Sequence, residues 1–175
     1  ILNKNWSFGL EQQLRLDSNS TELNVYFTEL STQYKNVSHV ELCQFNLPLW
    51  DGEQASKLKK VSDWALISQQ LTAATAIVLI TPEWGGMASP LLKNFLLMCS
   101  SEETAHKPAL IVSVSSGISG AYPIAELRMN AFKNNKLVAI QRTAQGLLKR
   151  MTALFHCTQL GIIEFKAAAQ SALHT

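Results

Sequence analysis

The chain has 175 residues, of which 47% are apolar and 16% charged. This composition excludes disorder and predicts a single domain over residues 1–175 with a substantial core. The formal charge is +2 with no run of like charges, so neither nucleic acid nor a membrane surface is expected as a partner. The near-neutral charge also argues against an electron carrier that docks by charge.

The cysteine content and the hydropathy of the chain indicate the cellular compartment. No apolar run is long enough to span a membrane, and the amino terminus has no signal-peptide pattern. Cys43, Cys99 and Cys157 are odd in number and widely spaced, so no disulfide framework is expected. We expect a cytoplasmic protein in which Cys43 and Cys99 are buried. The four histidines show no zinc spacing, so no metal site is predicted.

The first half of the chain alternates between strand and helix patterns. Trp6–Leu10 is the candidate for a first strand, although Gly9 weakens it. Apolar residues at helical spacing predict a helix over Thr21–Tyr34, capped by Ser18, Asn19 or Ser20. Val37–Gln44 alternates as a strand does, and Ala55–Leu71 has the pattern of an amphipathic helix.

Two strand-turn-helix units follow. Thr75–Thr81 and Pro108–Ser115 are apolar almost throughout, as strands buried on both faces are. Each is followed by a glycine-containing turn and then a helical pattern, over Pro90–Met98 and Ala121–Phe132. Such βα units need parallel pairing and right-handed crossovers, which predicts an α/β fold. The chain ends with a predicted last strand, Leu137–Ile140, and a mostly helical tail from Thr143 to His174.

Three loops are expected at the carboxyl ends of the strands, where open parallel sheets bind ligands. The first, over residues 15–20, opens a helix whose free N–H groups favour a phosphate. Ser18, Asn19 and Ser20 can add donors, and Arg15 can neutralise the phosphate charge. The same residues also fit an ordinary helix cap without a ligand.

The second loop combines a proline with two glycines, so its backbone can approach a flat ring closely. The isoalloxazine ring of FMN suits such a turn, because main-chain N–H groups can reach its carbonyl oxygens. Trp84 either shields the ring or packs against a neighbouring loop or second subunit. The predicted ring contacts are Pro82, Glu83, Trp84, Gly85, Gly86 and Met87.

The third loop is rich in serine and glycine and can pass under the other edge of the ring. A plain βα turn explains such a loop equally well when it is taken alone. Three such loops in this order favour a cofactor site more strongly than any one of them. The predicted contacts here are Ser115, Ser116, Gly117 and Gly120.

Two stretches resemble the signature sequences of the NAD(P)H-dependent FMN reductase family: TPEWGGMASPLLKNFLLM at 81–98 and KPALIVSVSSGISGAYPIAELRMNAFKNNKLV at 107–138. LRLDSNS at 14–20 resembles that family's phosphate loop, and LPLWDGE at 47–53 its acidic turn. The resemblance implies a flavodoxin-like three-layer α/β/α sandwich with a five-stranded parallel sheet in the order 2-1-3-4-5. It also implies FMN as cofactor, NAD(P)H as co-substrate, and a homodimer or homotetramer.

The implied activity is hydride transfer from NAD(P)H through FMN to a small acceptor: a quinone, an azo compound, a metal oxyanion or free flavin. No side chain is predicted as an essential acid or base, because the cofactor carries the chemistry. Gln12 and Gln13 stand where the family usually has Gly-Ser, which weakens a phosphate-binding nest. That departure favours an alternative, a flavodoxin-like module with a degenerate phosphate loop that acts as a non-catalytic binding or oligomeric protein.

Overall fold

A computed structural model describes residues 6–10, 37–115, 120–139 and 144–147; for 6–10, 131 and 144–147 it describes the backbone alone. Strands and helices alternate along these residues. The strands are β1 (Trp6–Leu10), β2 (Val37–Glu41), β3 (Ala76–Pro82), β4 (Pro108–Ser115), β5 (Val138–Ala139) and β6 (Ala144–Leu147). The helices are α1 (Gln54–Lys57), α2 (Trp64–Ala73), α3 (Pro90–Met98), α4 (Ser101–Thr104) and α5 (Ala121–Asn135), with a 3₁₀ turn at Leu42–Gln44.

The described strands pair in parallel within one sheet. Their order is β2-β1-β3-β4-β5, and β6 also pairs with β4. Leu10 lies beside Glu41 on one side and Ile80 on the other, and Pro82 lies beside Val114. The carboxyl ends of β1, β2, β3 and β4 therefore meet at one edge of the sheet, which we call the carboxyl rim.

β5 and β6 share the outer edge of β4. Val138 pairs with Pro108 and Ala144 with Val112, so six steps along the outer chain match four steps along β4. At Ala144–Leu147 the prediction of a mostly helical tail from Thr143 to His174 is wrong, because these residues form the strand β6. Its pairing depends on backbone groups that β4 offers at this edge, which a local hydrophobic pattern cannot reveal. The rest of the predicted tail lies outside the described residues.

The connections from β2 to β3, β3 to β4 and β4 to β5 all step the same way across the sheet. Right-handed crossovers therefore place α2, α3 and α5 on one face. Every residue of β3 and β4 is buried, so both faces of these central strands are shielded from solvent. This is the burial pattern of a parallel sheet covered on both sides. The predicted helix over Thr21–Tyr34 lies outside the described residues.

A core of apolar side chains fills the space between the sheet and these helices. Ile77 and Leu79 of β3 and Ile111 of β4 belong to it, together with residues from α2, α3 and α5. Thr81 and Ser113 continue the same alternation to the carboxyl rim, where they are neighbours in register and fully buried. The apolar face of the sheet thus becomes polar at the rim, next to the starts of α3 and α5.

The predicted helix over Ala55–Leu71 is wrong in its middle, since it divides into α1 and α2. Asn46 accounts for the break. Its N–H donates to Asp63 Oδ2 at 2.8 Å, and its Nδ2 donates to the Val61 carbonyl at 2.7 Å. A continuous helix would use that carbonyl for its own ladder of hydrogen bonds.

The predicted strand over Val37–Gln44 ends early, at Glu41. The 3₁₀ turn that follows points Leu42 into the core and leaves Cys43 exposed, so the predicted burial of Cys43 is wrong. Cys99 is buried as predicted. Burial raises the pKa of the Cys99 thiol, which is therefore uncharged at neutral pH.

Asn94 on α3 anchors the segment that precedes α1. Its Oδ1 accepts a hydrogen bond from the N–H of Trp50 at 2.8 Å, and its Nδ2 donates to the Pro48 carbonyl at 2.9 Å. Lys57 Nζ lies 4.7 Å from the Trp50 ring centroid and 5.5 Å from that of Trp64. The Lys57 ammonium group thus contacts both tryptophan rings. Together with the hydrogen bonds of Asn94, these contacts hold the segment against α1, α2 and α3.

We expect Asn94→Ala to lower the free energy of unfolding by about 2–3 kcal/mol, because it leaves two backbone groups without their partner. Urea denaturation of the variant and the wild type measures the loss. Asn130→Ala, at an exposed position on α5, is the matched control and should change stability by less than about 0.5 kcal/mol. Equal losses in the two variants would contradict the anchoring role.

Candidate functional site

The chain leaves β3 through a tight turn over residues 84–87, called here the 84–87 turn. The N–H of Trp84 donates to the Met87 carbonyl, and the N–H of Met87 donates to the Trp84 carbonyl, both at 3.0 Å. The central residues Gly85 and Gly86 have φ of +55° and +80°. This is the geometry of a type I′ turn, which glycine adopts without strain. The two glycines are therefore explained by the backbone of this turn.

Most N–H groups around the 84–87 turn are already bonded within the protein. The N–H of Glu83 donates to the β4 backbone at 2.7 Å, and that of Ala88 donates to Glu126 Oε2 at 2.7 Å. The N–H groups of Gly85 and Gly86 have no acceptor among the described residues. A Cβ built on Gly85 would meet nothing within 4 Å. The turn therefore offers two adjacent main-chain donors beside open space, which fits the carbonyl oxygens of a flat ring.

The loop that follows β4 returns to the same part of the rim. Gly120, just before α5, has φ of +52°, and its N–H donates to Glu83 Oε2 at 2.9 Å. Nearby, Ser113 Oγ is buried and has no hydrogen-bond partner within the described residues. A Cβ on Gly120 would lie 3.7 Å from that oxygen. The Glu83 carboxylate thus joins the two loops. The buried Ser113 hydroxyl close to Gly120 makes no hydrogen bond within the described residues.

The structure divides the sequence-predicted site residues into two groups. One group lies together at the carboxyl rim: Pro82, Glu83, Trp84, Gly85, Gly86, Met87, Ser115 and Gly120. The other group lies outside the described residues: Arg15, Ser18, Asn19, Ser20, Ser116 and Gly117. The strand that leads towards Arg15 does end at this rim, because β1 pairs with β3 in parallel. The roles of both groups as ligand contacts stay predictions.

Sequence reasoning missed two residues of α5 that contact this site. Tyr122 lies against the turn, with its Cγ 3.8 Å from the position of a Cβ on Gly86. Glu126, one helical turn further on, accepts the hydrogen bond described above. Their spacing of four residues is visible in the sequence, but their contact with the turn depends on how α5 packs. Trp84, Met87 and Tyr122 are 49%, 52% and 62% exposed, so the turn presents an apolar surface to solvent.

Other kinds of site find no support in the described part of the chain. Residues 37–115 and 120–139 contain no group of three or more His, Cys, Asp or Glu side chains that could hold a metal ion. No helix within these segments is both long and apolar enough to cross a membrane. The groups that these residues offer at the rim are main-chain donors, hydroxyls and the carboxylates of Glu83 and Glu126.

Comparison with known proteins identifies the relationship. The profile of the NADPH-dependent FMN reductases matches residues 12–149, which is well over half of the chain. The chain belongs to this family. The matched region begins before the predicted phosphate loop and includes the 84–87 turn and α5, so it covers all three predicted loops of the site.

One characterised relative is the NADPH azoreductase of Bacillus sp. strain OY1-2, which is 37% identical over 75 residues. The aligned region is 42% of this chain and 40% of the relative, so the comparison spans about two fifths of the relative's length.

Solved structures show the fold. FerB, the flavoenzyme NAD(P)H:(acceptor) oxidoreductase of Paracoccus denitrificans, superposes with a TM-score of 0.73 at 15% identity, over 97% of this chain and 98% of FerB. The flavodoxin-family WrbA-like protein of Agrobacterium tumefaciens gives a TM-score of 0.65 at 13% identity, over 98% of each chain. The family member described here therefore has a flavodoxin-like α/β fold with a parallel sheet, as its sequence predicted.

Gly85→Ala should destabilise the protein by roughly 1–2 kcal/mol, because alanine is strained at positive φ. Gly85→Asn is the matched variant, and it should cost much less, since asparagine tolerates this conformation and Asn-Gly is a preferred type I′ pair. Chemical denaturation of the two variants gives the difference. Losses of the same size would show that the left-handed backbone is not what requires glycine here.

Proposed function

We propose that the protein is an NAD(P)H-dependent FMN reductase that passes hydride from NAD(P)H through FMN to a small acceptor. The observation that carries the proposal is the 84–87 turn, whose two central N–H groups have no acceptor within the described residues. Membership of the NADPH-dependent FMN reductase family supports FMN as the ligand that supplies those acceptors.

In this proposal the carboxyl rim holds FMN through three loops. Arg15, Ser18, Asn19 and Ser20 bind the phosphate, at a helix start that provides further N–H groups. The ring and ribityl chain lie against residues 82–87 and 115–120. The contacts in these two ranges are Pro82, Glu83, Trp84, Gly85, Gly86, Met87, Ser115, Ser116, Gly117 and Gly120.

FMN, when bound, supplies the hydride-transfer chemistry, and the protein supplies binding and orientation. The N–H groups of Gly85 and Gly86 donate to the ring edge. Glu83 keeps the turn and the start of α5 together through its bond to Gly120. We assign no side chain as an acid or base, because the cofactor itself carries the chemistry.

The acceptor is a quinone, an azo compound, a metal oxyanion or free flavin. The name of the relative, an NADPH azoreductase, supports the azo compound among these. The proposal includes a cytoplasmic location. It also includes a single domain built as a three-layer α/β/α sandwich, with a five-stranded parallel sheet in the order 2-1-3-4-5.

The proposal also includes assembly into a homodimer or homotetramer. A cavity of about 500 Å³ lies between α3 and α5, and Leu97 and Met129 on its border are 55% and 74% exposed. Exposed apolar side chains grouped beside a cavity are typical of a surface that another subunit covers.

The first test is reconstitution with FMN. We expect the purified protein to take up FMN, to melt at a higher temperature in its presence, and to lose its yellow colour when NADPH is added without oxygen. Colour should return on addition of a quinone or an azo dye. A protein whose melting temperature does not respond to FMN would instead support the alternative of a non-catalytic module with a degenerate phosphate loop.

The second test separates the phosphate contacts from the ring contacts. Arg15→Ala should weaken FMN binding by roughly tenfold to a hundredfold, which is the scale of one charged hydrogen bond. Binding of riboflavin, which has no phosphate, should be unchanged. Lys60→Ala removes an exposed positive charge from the loop between α1 and α2 and is the control. Equal weakening of FMN and riboflavin by Arg15→Ala would place Arg15 away from the phosphate.

A further inference from the structure

Helix α5 holds the loop at the end of β3 through two residues on one of its faces. Tyr122 and Glu126 are four residues apart, so both side chains project from the same side of the helix. Tyr122 lies against Gly86 within the 84–87 turn, and Glu126 binds the N–H of Ala88 just after it. The two contacts bracket the end of the turn.

Both oxygens of the Glu126 carboxylate are occupied. Oε2 accepts the Ala88 N–H at 2.7 Å, and Oε1 lies 3.0 Å from Lys93 Nζ. Glu126 is only 24% exposed and Lys93 35%. Charge-assisted bonds of this kind are shorter and more directional than neutral ones, so the carboxylate fixes the place of Ala88 relative to α5 and α3.

Ala88 lies directly after the turn that carries the free donors of Gly85 and Gly86. Ala88 follows Met87, which closes the type I′ turn by its paired bonds to Trp84. If the Ala88 N–H lost its acceptor, the turn could tilt on β3 and carry Gly85 and Gly86 with it. Their N–H groups would then point elsewhere.

We infer that Glu126 is a positioning residue for FMN. By holding Ala88, Glu126 aims the main-chain donors of Gly85 and Gly86 at the ring. The inference rests on the proposed function. Glu126 itself contacts the N–H of Ala88 and the ammonium group of Lys93, and Lys93 holds the carboxylate in the orientation that faces Ala88. Glu126 therefore affects binding of the isoalloxazine ring and not binding of the phosphate.

The test measures binding of FMN and of riboflavin to Glu126→Ala and Glu126→Gln. Glu126→Ala should raise both dissociation constants about tenfold and by the same factor, because both ligands carry the ring. Glu126→Gln keeps an oxygen acceptor and should raise them by only about threefold. Glu102→Gln, at an exposed position on α4, is the control and should leave both dissociation constants unchanged.

A second measurement uses the flavin-free protein, so it does not depend on cofactor binding. The amide hydrogen of Ala88 should exchange slowly with solvent in the wild type and at least tenfold faster in Glu126→Ala, while Glu102→Gln matches the wild type. This readout also serves if Glu126→Ala folds poorly, since Glu126→Gln should show a smaller change in the same direction.

The outcomes separate the inference from the proposed function. Unchanged dissociation constants in Glu126→Ala, in a protein that binds FMN, would overturn the inference alone. If Glu126→Ala weakened binding of FMN but left binding of riboflavin normal, Glu126 would act on the phosphate contacts. That result would also overturn the inference. A wild-type protein that binds neither ligand would overturn both the inference and the proposed function.

Discussion

The parallel pairing of β3 with β4 determines what else can lie at the carboxyl rim. Thr81 is level with Ser113, and the N–H of Glu83 extends the ladder by one bond to Val114. The turns after the two strands therefore start side by side, close enough for Glu83 to reach the N–H of Gly120 at 2.9 Å. A slip of one residue between the strands would turn Ser113 away from the helix-facing side and separate the loops.

The main-chain donors at the rim fall into two groups, those bonded within the protein and those without an acceptor among the described residues. Ser89 donates to Thr81 Oγ1, Ala88 donates to Glu126, and Gly120 donates to Glu83, so these bonds hold the loops to each other and to the helices. The N–H groups of Gly85 and Gly86 have no acceptor within the described residues. A rigid surround with a few uncommitted donors is the arrangement that binds a ligand with little loss of conformational entropy.

The elements that carry their own signal were predictable from the sequence. β3 and β4 are continuous apolar runs because both of their faces are buried. The start of α3 is marked by the Ser89 cap and by Pro90. The two glycines of the turn were equally visible. The break between α1 and α2 was not, because it depends on Asn46, which is distant in sequence from the segment it binds.

The supporting contacts of the site were hidden for the same reason. Glu126 and Ala88 are 38 residues apart, and nothing in the local pattern of α5 distinguishes Glu126 from a solvated helical carboxylate. Their meeting follows from the packing of α5 beside α3, which only the assembled fold determines. The residues predicted to bind phosphate were proposed from a cap-like pattern and a family resemblance, and they stay predictions.

The shared edge position of β5 and β6 has a consequence for how this chain can change length. Six steps on the outer chain match four on β4, so the two pairings differ in offset by two residues. Because side chains alternate with a period of two, an even offset keeps the inner and outer faces of β6 aligned with those of β5. A change of length that kept an even offset between the two pairings would leave both faces of the sheet as they are, whereas an odd offset in the pairing of β6 with β4 would exchange its faces.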